Sequence, residues 1–430
     1  MNPSDGGEEE KMKIDTKRLI AASLATVMTA SVCAMFAGCD NNESTDGSST
    51  PLITLPPEQT TDTTSTTAST SGSETTETTT GNIDIPIKPT GYTNPLTGMP
   101  SVNDVSNTRP IAIVVDNHPN AYANQTGLDQ ADVLYEMLVA PGITRFLMVA
   151  SDYTQLDSVC NIRSGRDYHL DIAAFHNAVL VCHGGSITEN YDFYSLAANR
   201  LGSRWGYIDT MFEYWFAAES AGEDYGTIDN YGDRVDLKYD TIFKPEALSA
   251  LLKSKSAKFV KEADGSLDGS AKESLKFVAY GTDKDMSGAS DAANITLRFT
   301  SQGSSGAKNV SFKYDAATGK YLRNQDNMPH VDTETGKQLS FTNVITLFTD
   351  VETVETGISN DPTMTLVETR GSGIGFYFYG GKVINIEWES NGADLILTDP
   401  NGDELELATG NTYIGYLDND YLYNNSSFWD

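Results

Sequence analysis

The sequence predicts an α+β protein, with an N-terminal α/β domain built on a mixed sheet (residues 91–252) and a mostly antiparallel, β-rich C-terminal domain (residues 253–430). Three observations carry this. Residues 111–115 and 178–182 are continuous apolar runs, the mark of strands covered on both faces. Helix-start spacings follow polar loops in the same region. From about Lys276 the pattern changes to short strand-like runs separated by Gly-containing turns.

The run at 111–115 leads into Asp116-Asn117-His118-Pro119. Residues 133–139 and 143–150 are two more strand-like runs across Ala140-Pro141-Gly142; they read as a hairpin that brings Glu136 near Arg145. Ser164 and Asp167 have capping-box spacing, which predicts a helix to about Asn177. The strand at 178–182 runs into His183-Gly184-Gly185-Ser186, and Ser186 with Glu189 repeats that spacing before a helix to about Asn199. Residues 202–239 are aromatic and acidic and read as a packed helix with a lid-like loop, or as an aromatic sugar platform. Residues 243–253 suggest a short helix entered around Pro245. Strands are expected at 294–300, 310–314, 320–323, 343–349, 373–379, 382–388, 394–398 and 404–408. Thr318-Gly319, Gly380-Gly381, Asn391-Gly392 and Asn401-Gly402 supply turns between them.

Upstream, Lys11, Lys13, Lys17 and Arg18 precede an apolar run at 19–38 that closes in Phe36-Ala37-Gly38-Cys39. This resembles a bacterial lipoprotein signal peptide over residues 1–39, in which the Cys39 thiol carries the diacylglycerol; Phe36 stands where Leu is usual. The alternative is an uncleaved transmembrane anchor. Because residues 1–10 are acidic, Met12 is a competing start. Residues 40–90 are Ser/Thr-rich with few large apolar side chains, a disordered linker that acts as a tether. The expected location is extracytoplasmic, at the cell membrane, anchored through the lipid on Cys39.

The formal charge of −31 argues against sequence-independent nucleic-acid binding and against adsorption to an anionic membrane surface. Of four cysteines, Cys33 and Cys39 belong to the signal. Cys160 and Cys182 are either a disulfide pair, contributing roughly 3 kcal/mol, or buried thiols. No Gly-x-Ser-x-Gly elbow, Walker loop, paired CxxC or His-Glu-x-x-His is present. Outside the cytoplasm no ATP or nicotinamide cofactor is expected. Asp399-Pro400-Asn401-Gly402-Asp403 begins like a calcium loop, but Gly410 stands where the closing acid belongs, so a β-turn is expected. His169, Asp171 and His176 are too few for a ligand set; they read as ordinary, partly exposed helix residues, and no metal is expected.

A constellation survives: Asp116 and His118 after one strand, Arg163, Ser164 and Arg166 at a helix start, His183 and Ser186 after another strand, and Arg145 on the hairpin. In an open α/β sheet such loops gather at the carboxyl edge of the strands. Helix N-termini and guanidinium forks favour phosphate or carboxylate there. Equally open is a bracing role, with Arg163 and Arg166 paired to Asp152, Asp157 or Asp171.

These residues sit within stretches that resemble the YerB-like lipoproteins, a bacterial family built from N- and C-terminal DUF3048 domains. The matching stretches are Asn94-Pro95-Leu96-Thr97-Gly98, 109–118, 131–136, Gly142-Ile143-Thr144-Arg145-Phe146, Arg163-Ser164-Gly165-Arg166 and His183-Gly184-Gly185-Ser186. Tyr314-Asp315, Thr318-Gly319-Lys320-Tyr321, His330-Val331-Asp332 and Asn343-Val344 follow in order, so the resemblance covers about 91–415. It implies an exported, often lipid-anchored protein with an α/β first domain and a β-rich second one. It implies no activity and no catalytic residue. Gly165 and Asp167 stand where Ala and Pro are expected, and 202–239 has no placed match.

The leading expectation is a surface-anchored binding or scaffold protein of unknown activity. Arg145, Arg163 and Arg166 would contact a glycan carboxylate or a phosphate-bearing wall polymer, with His118, His183, Ser164 and Ser186 orienting it. The rival is an envelope hydrolase or transferase in which Asp116 or Glu136 acts as base with His118 or His183. A structural partner for other envelope proteins is the third reading.

Overall fold

The apolar runs become strands where they were expected, and their pairing builds the molecule. The computed structural model describes residues 91–201, 207–209, 242–243, 269–301, 304, 306–359, 361–424 and 428–430. The signal, Cys39, the linker, most of 202–239 and most of 243–253 lie outside the described residues.

Strand β1 (Ile111–Asp116) is buried at every position, as its unbroken apolar run requires. Strands β2 (Val133–Ala140) and β3 (Ile143–Ala150) form the expected hairpin, with a bulge between Leu138 and Ala140. Gly142 closes the turn at φ 72°, a backbone conformation that glycine adopts without steric cost. Helix α1 (Asp167–Phe175), strand β4 (Val179–Cys182), helix α2 (Phe193–Leu201) and strand β5 (Tyr207–Asp209) follow.

Both helices start later than the capping-box spacings indicate. Arg166, not Ser164, is the N-cap of α1, and His169 at the third helical position accepts the Arg166 amide on Nδ1 at 3.0 Å. The helix ends at Phe175, two residues short of Asn177, whose φ of 53° is left-handed. Before α2, Ser186 spends its carbonyl on the Phe193 amide. Asp192 caps the helix instead, accepting from Tyr194 N at 3.0 Å and from Ser195 Oγ at 2.6 Å.

The later half contributes β6 (Ser290–Asp291), β7 (Asn294–Phe299), β8 (Lys308–Asp315), β9 (Lys320–Gln325), β10 (Asn343–Thr349), β11 (Val351–Ile358), β12 (Asp361–Val367), β13 (Gly371–Tyr379), β14 (Lys382–Ser390), β15 (Leu395–Thr398) and β16 (Thr412–Asp418). The strand expected at 404–408 shrinks to Glu406–Leu407. At Gly380-Gly381 both glycines have positive φ, which a two-residue hairpin between Tyr379 and Lys382 requires. Asp399 is a turn residue as expected, its Oδ1 accepting from Asn401 N and Asp403 N.

One eleven-stranded sheet runs β6-β14-β13-β10-β16-β2-β3-β1-β4-β5, with β15 also on β14. The joint is β16, which lies parallel to β10 on one side and to β2 on the other. Segments on either side of the boundary expected near Leu252 therefore share a single sheet within one compact unit. A smaller, five-stranded antiparallel sheet is built on β7, β8 and β9. It packs on the main sheet through Phe312 and Phe341 against Tyr413 of β16, with ring centroids 4.8 and 5.6 Å away. Arg370, just before β13, grips Asp171 of α1 through two hydrogen bonds of 3.0 and 2.8 Å.

Candidate anion site

Strands β1 and β4 are parallel neighbours, so their carboxyl ends open side by side. Residues 161–165 thread between those ends. Asp116 N donates to Asn161 O and Arg163 N to Val114 O; from the other side His183 N donates to Arg163 O and Gly165 N to Gly184 O. The loops that the sequence singles out thus meet at the carboxyl edge of the parallel strands, where open α/β sheets bind ligands.

Cross-strand pairing then brings in the hairpin. Asp116 of β1 lies opposite Arg145 of β3, and Arg145 lies opposite Met137 of β2, so Asp116 and Arg145 share a face. Arg163 Nε stands 3.0 Å from Asp116 Oδ2. Arg145 Nη1 donates to Ser164 O at 2.6 Å, and Arg166 Nη1 to Gly165 O at 3.2 Å. Relative exposure is 8% for Arg145, 5% for Arg166, 2% for Asp116 and 0% for His169. Among the described residues the guanidinium groups of Arg145, Arg163 and Arg166 gather around Asp116, with Asp167 at the edge of the group.

Because His169 Nδ1 accepts from Arg166 N, its ring proton belongs on Nε2. Burial first, then the charges of Arg145 and Arg166, hold His169 well below the usual histidine range, so the ring is neutral. Burial and the nearby Arg166 pull the Arg145 guanidinium down to about 9, with Asp116 opposing them. Arg145 Nε, Arg166 Nε and His169 Nε2 are buried without a hydrogen-bond partner, and Asp116 Oδ2, although ion-paired to Arg163, accepts no hydrogen bond. A buried polar group left unsatisfied costs about 1–3 kcal/mol. Three unmatched N–H donors close to the guanidinium groups of Arg145, Arg163 and Arg166 are complementary to an oxyanion.

The eight expected site residues divide. Asp116, Arg145, Arg163 and Arg166 come together through their side chains, and Ser164 contributes its carbonyl. His118 and His183 stand at the site through their backbone amides: His118 N donates to Asp116 Oδ1, while its ring Nδ1 accepts from Asn120 N and caps a short 3₁₀ helix. Ser186 serves α2 through its carbonyl, which accepts from the Phe193 amide. The sequence reading missed His169; the signal was its position three residues after Arg166, where a capping residue reaches back.

Several expectations are corrected. Arg163 pairs with Asp116, which is not among the acids expected to brace it, while Asp171 is held by Arg370 and Thr369. Glu136 pairs across the hairpin with Phe146, so its side chain projects from the opposite face to that of Arg145. There it is wholly buried and accepts from Asn117, Thr144, Arg323 and Tyr413, which removes it as a solvent-accessible base. Cys160 and Cys182 are both buried thiols with no disulfide between them. His169, Asp171 and His176 are buried rather than partly exposed. His176 is bonded to Tyr135 and Ser274, and burial pushes it down to about 3. Among the described residues no cluster of three or more His, Cys, Asp or Glu side chains has metal-binding geometry. No helix among them is long and apolar enough to cross a membrane.

Comparison with known families matches residues 96–206 to the N-terminal domain of a protein family of unknown function, DUF3048, and residues 296–414 to its C-terminal domain. The chain belongs to the DUF3048 family. A DUF3048 relative in Bacillus subtilis (strain 168), which carries the name "Putative lipoprotein YerB", is 24% identical over 325 residues, 75% of this chain and 85% of the relative. The crystal structure of the YerB protein from Bacillus subtilis superimposes with a TM-score of 0.58 at 22% identity, covering 76% of this chain and 96% of YerB. That likeness bears on the fold. Within it, both DUF3048 domains contribute strands to one sheet, and the arginine cluster belongs to the N-terminal one.

Proposed function

We propose that this DUF3048 protein is a lipid-anchored binding protein of the cell envelope, whose arginine cluster holds an anionic group of an envelope polymer. The observation that carries the reading is the set of buried, unmatched N–H donors on Arg145, Arg166 and His169 beside the ion pair of Arg163 and Asp116. A cluster meant only to brace the fold would match its charges internally, as Asp171 and Arg370 do. The extracytoplasmic setting is supported by the signal-like residues 11–39 and by a relative named as a lipoprotein. The Ser/Thr-rich stretch at 40–90 then serves as a tether between the lipid on Cys39 and the folded part.

The test is binding of purified wall polymers and their fragments to a soluble protein that begins at Asp40, after the signal-like run and Cys39, alongside Arg163→Ala and Arg166→Ala. Selective binding that both substitutions weaken supports the reading. Equal affinity for every polymer, or none for any, overturns it.

A further inference from the structure

The same cluster contains a feature that a general anion site does not need. Asp116 is 2% exposed, and its Oδ2 accepts no hydrogen bond although it lies beside Arg163 Nε. Its other oxygen takes the His118 amide. The second acid of the neighbourhood, Asp167, is engaged by the Tyr191 hydroxyl at 3.0 Å. Asp116 Oδ2 is thus ion-paired to Arg163 but receives no hydrogen bond, and it shares the electrostatic neighbourhood of Arg145, which in turn adjoins Arg166 and His169.

A carboxylate in this position is a liability towards most oxyanions. Carboxylate, sulfate and phosphodiester groups carry no O–H at neutral pH, so they meet Asp116 as acceptor against acceptor and charge against like charge. A phosphoryl group that retains a proton differs. Its anionic oxygens take the N–H donors while its P–OH donates to Asp116 Oδ2, and such charge-assisted O–H···O⁻ bonds are short and strong. Phosphate monoesters lose their second proton near pH 6, so the singly protonated form is populated there.

We infer that the anion recognised by this cluster is a protonated phosphoryl group, as in hydrogen phosphate or a terminal phosphate monoester, and that Asp116 selects for its proton. The inference rests on the anion-binding reading above and narrows it. It assigns Asp116 a specificity role and excludes polymers whose charge is carried solely by carboxylates or internal phosphodiesters.

The experiment is calorimetric titration of the chain from Asp40 onward at pH 6.5 with inorganic phosphate, sulfate, dimethyl phosphate and glycerol 3-phosphate. Phosphate and glycerol 3-phosphate are expected to bind, with sulfate and dimethyl phosphate at least tenfold weaker. Asp116→Asn removes the repulsion and should weaken phosphate while strengthening sulfate, bringing their affinity ratio towards one. Were Asp116 only neutralising Arg163, Asp116→Asn would shift all four ligands in the same sense. Sulfate binding as tightly as phosphate to the unsubstituted chain overturns the inference and leaves the anion site standing. Loss of neither ligand on Arg166→Ala, or no binding of any of the four, overturns the site itself. The comparison on the unsubstituted chain decides the question even if Asp116→Asn fails to fold.

Discussion

Arg323 Nη2 donates to Glu136 Oε2 at 2.6 Å with both side chains fully removed from solvent, although the two residues are 187 positions apart. Glu136 belongs to the first family domain and Arg323 to the second. Tyr413 Oη adds a bond of 2.7 Å to the same carboxylate oxygen, while Thr144 and Asn117 occupy the other. Arg323 also bonds His330, which meets the Gln125 side chain; Gln125 Nε2 in turn donates to Asp116 O at 2.7 Å. The second domain therefore supports the end of β1 that carries Asp116.

Removing one member of that pair leaves a charge buried without its partner, which typically costs about 3–5 kcal/mol. Arg323→Met is expected to lose stability in that range by denaturant unfolding. The double variant Glu136→Leu with Arg323→Met should recover much of the loss, because the stranded charge is gone. A double variant as damaged as the sum of its single substitutions would show that the two residues do not act as a pair.

Arg166 should behave in the opposite way. Its charge sits near Arg145, and its Nε lacks a partner. Arg166→Ala is therefore expected to leave the stability of the ligand-free protein equal or higher, while phosphate no longer raises the melting temperature. For the unsubstituted chain, ligand at a hundred times its Kd stabilises by about 2.7 kcal/mol. A marked loss of ligand-free stability in Arg166→Ala would identify the residue as a brace.

Acid should destabilise this protein earlier than its carboxylates alone would suggest. His169, His176 and His330 are all held below the ordinary histidine value, by burial first and in His169 and His330 also by neighbouring positive charges. Below about pH 6.5 the unfolded chain takes up protons that the folded chain refuses, so stability is full above that value and falls as pH drops towards 3. Each such histidine contributes a slope of at most about 1.4 kcal/mol per pH unit. Asp129 and Asp132, raised mainly by burial, act in the opposite sense at lower pH. Comparing His176→Asn with the unsubstituted chain cancels them. Its pH dependence between pH 6.5 and 5 should flatten by about one proton, and identical slopes would refute the assignment.

The legible parts of this fold are those set by local pattern. The unbroken apolar run of β1 and the hairpin of β2 and β3 are where periodicity puts them, because their burial is written into consecutive side chains. Strand β16 is different. Its Thr-Tyr-Ile-Gly-Tyr-Leu-Asp stretch is buried throughout, because β10 and β2 flank it, a long-range fact with no local signature. The β11–β12 hairpin escaped for the converse reason: its Thr and Glu residues give no strong apolar face. At the site, residue type identified Arg145, Arg163, Arg166 and Asp116. Face alternation decided against Glu136, since a strand sends Glu136 and its neighbour Met137, the partner of Arg145, to opposite sides. The bond from His330 to Gln125, which leads on to Asp116, joins residues 205 apart and could not be read from spacing.

Gly185 offers a test of how the site loops are held. A Cβ at Gly185 would lie 2.2 Å from Phe193 Cδ1 and 2.8 Å from Phe193 Cβ, whereas one at Gly165 would lie 2.6 Å from the far ring atom Cζ. Phe193 is fully buried, so its ring fills the space between the two glycines. A side chain at position 165 meets the ring tip, which can tilt. One at 185 meets the root of the ring, fixed by α2. Gly185→Ala should therefore cost about 1–3 kcal/mol, and Gly165→Ala less. Because Gly184 O receives the Gly165 amide, which positions Arg163 and Arg166, Gly185→Ala should also weaken phosphate binding. Shortening the ring root with Phe193→Leu in the Gly185→Ala background should restore part of both. If Phe193→Leu instead adds its full cost to that of Gly185→Ala, the contact between these two residues is not what holds the arginine loops in place.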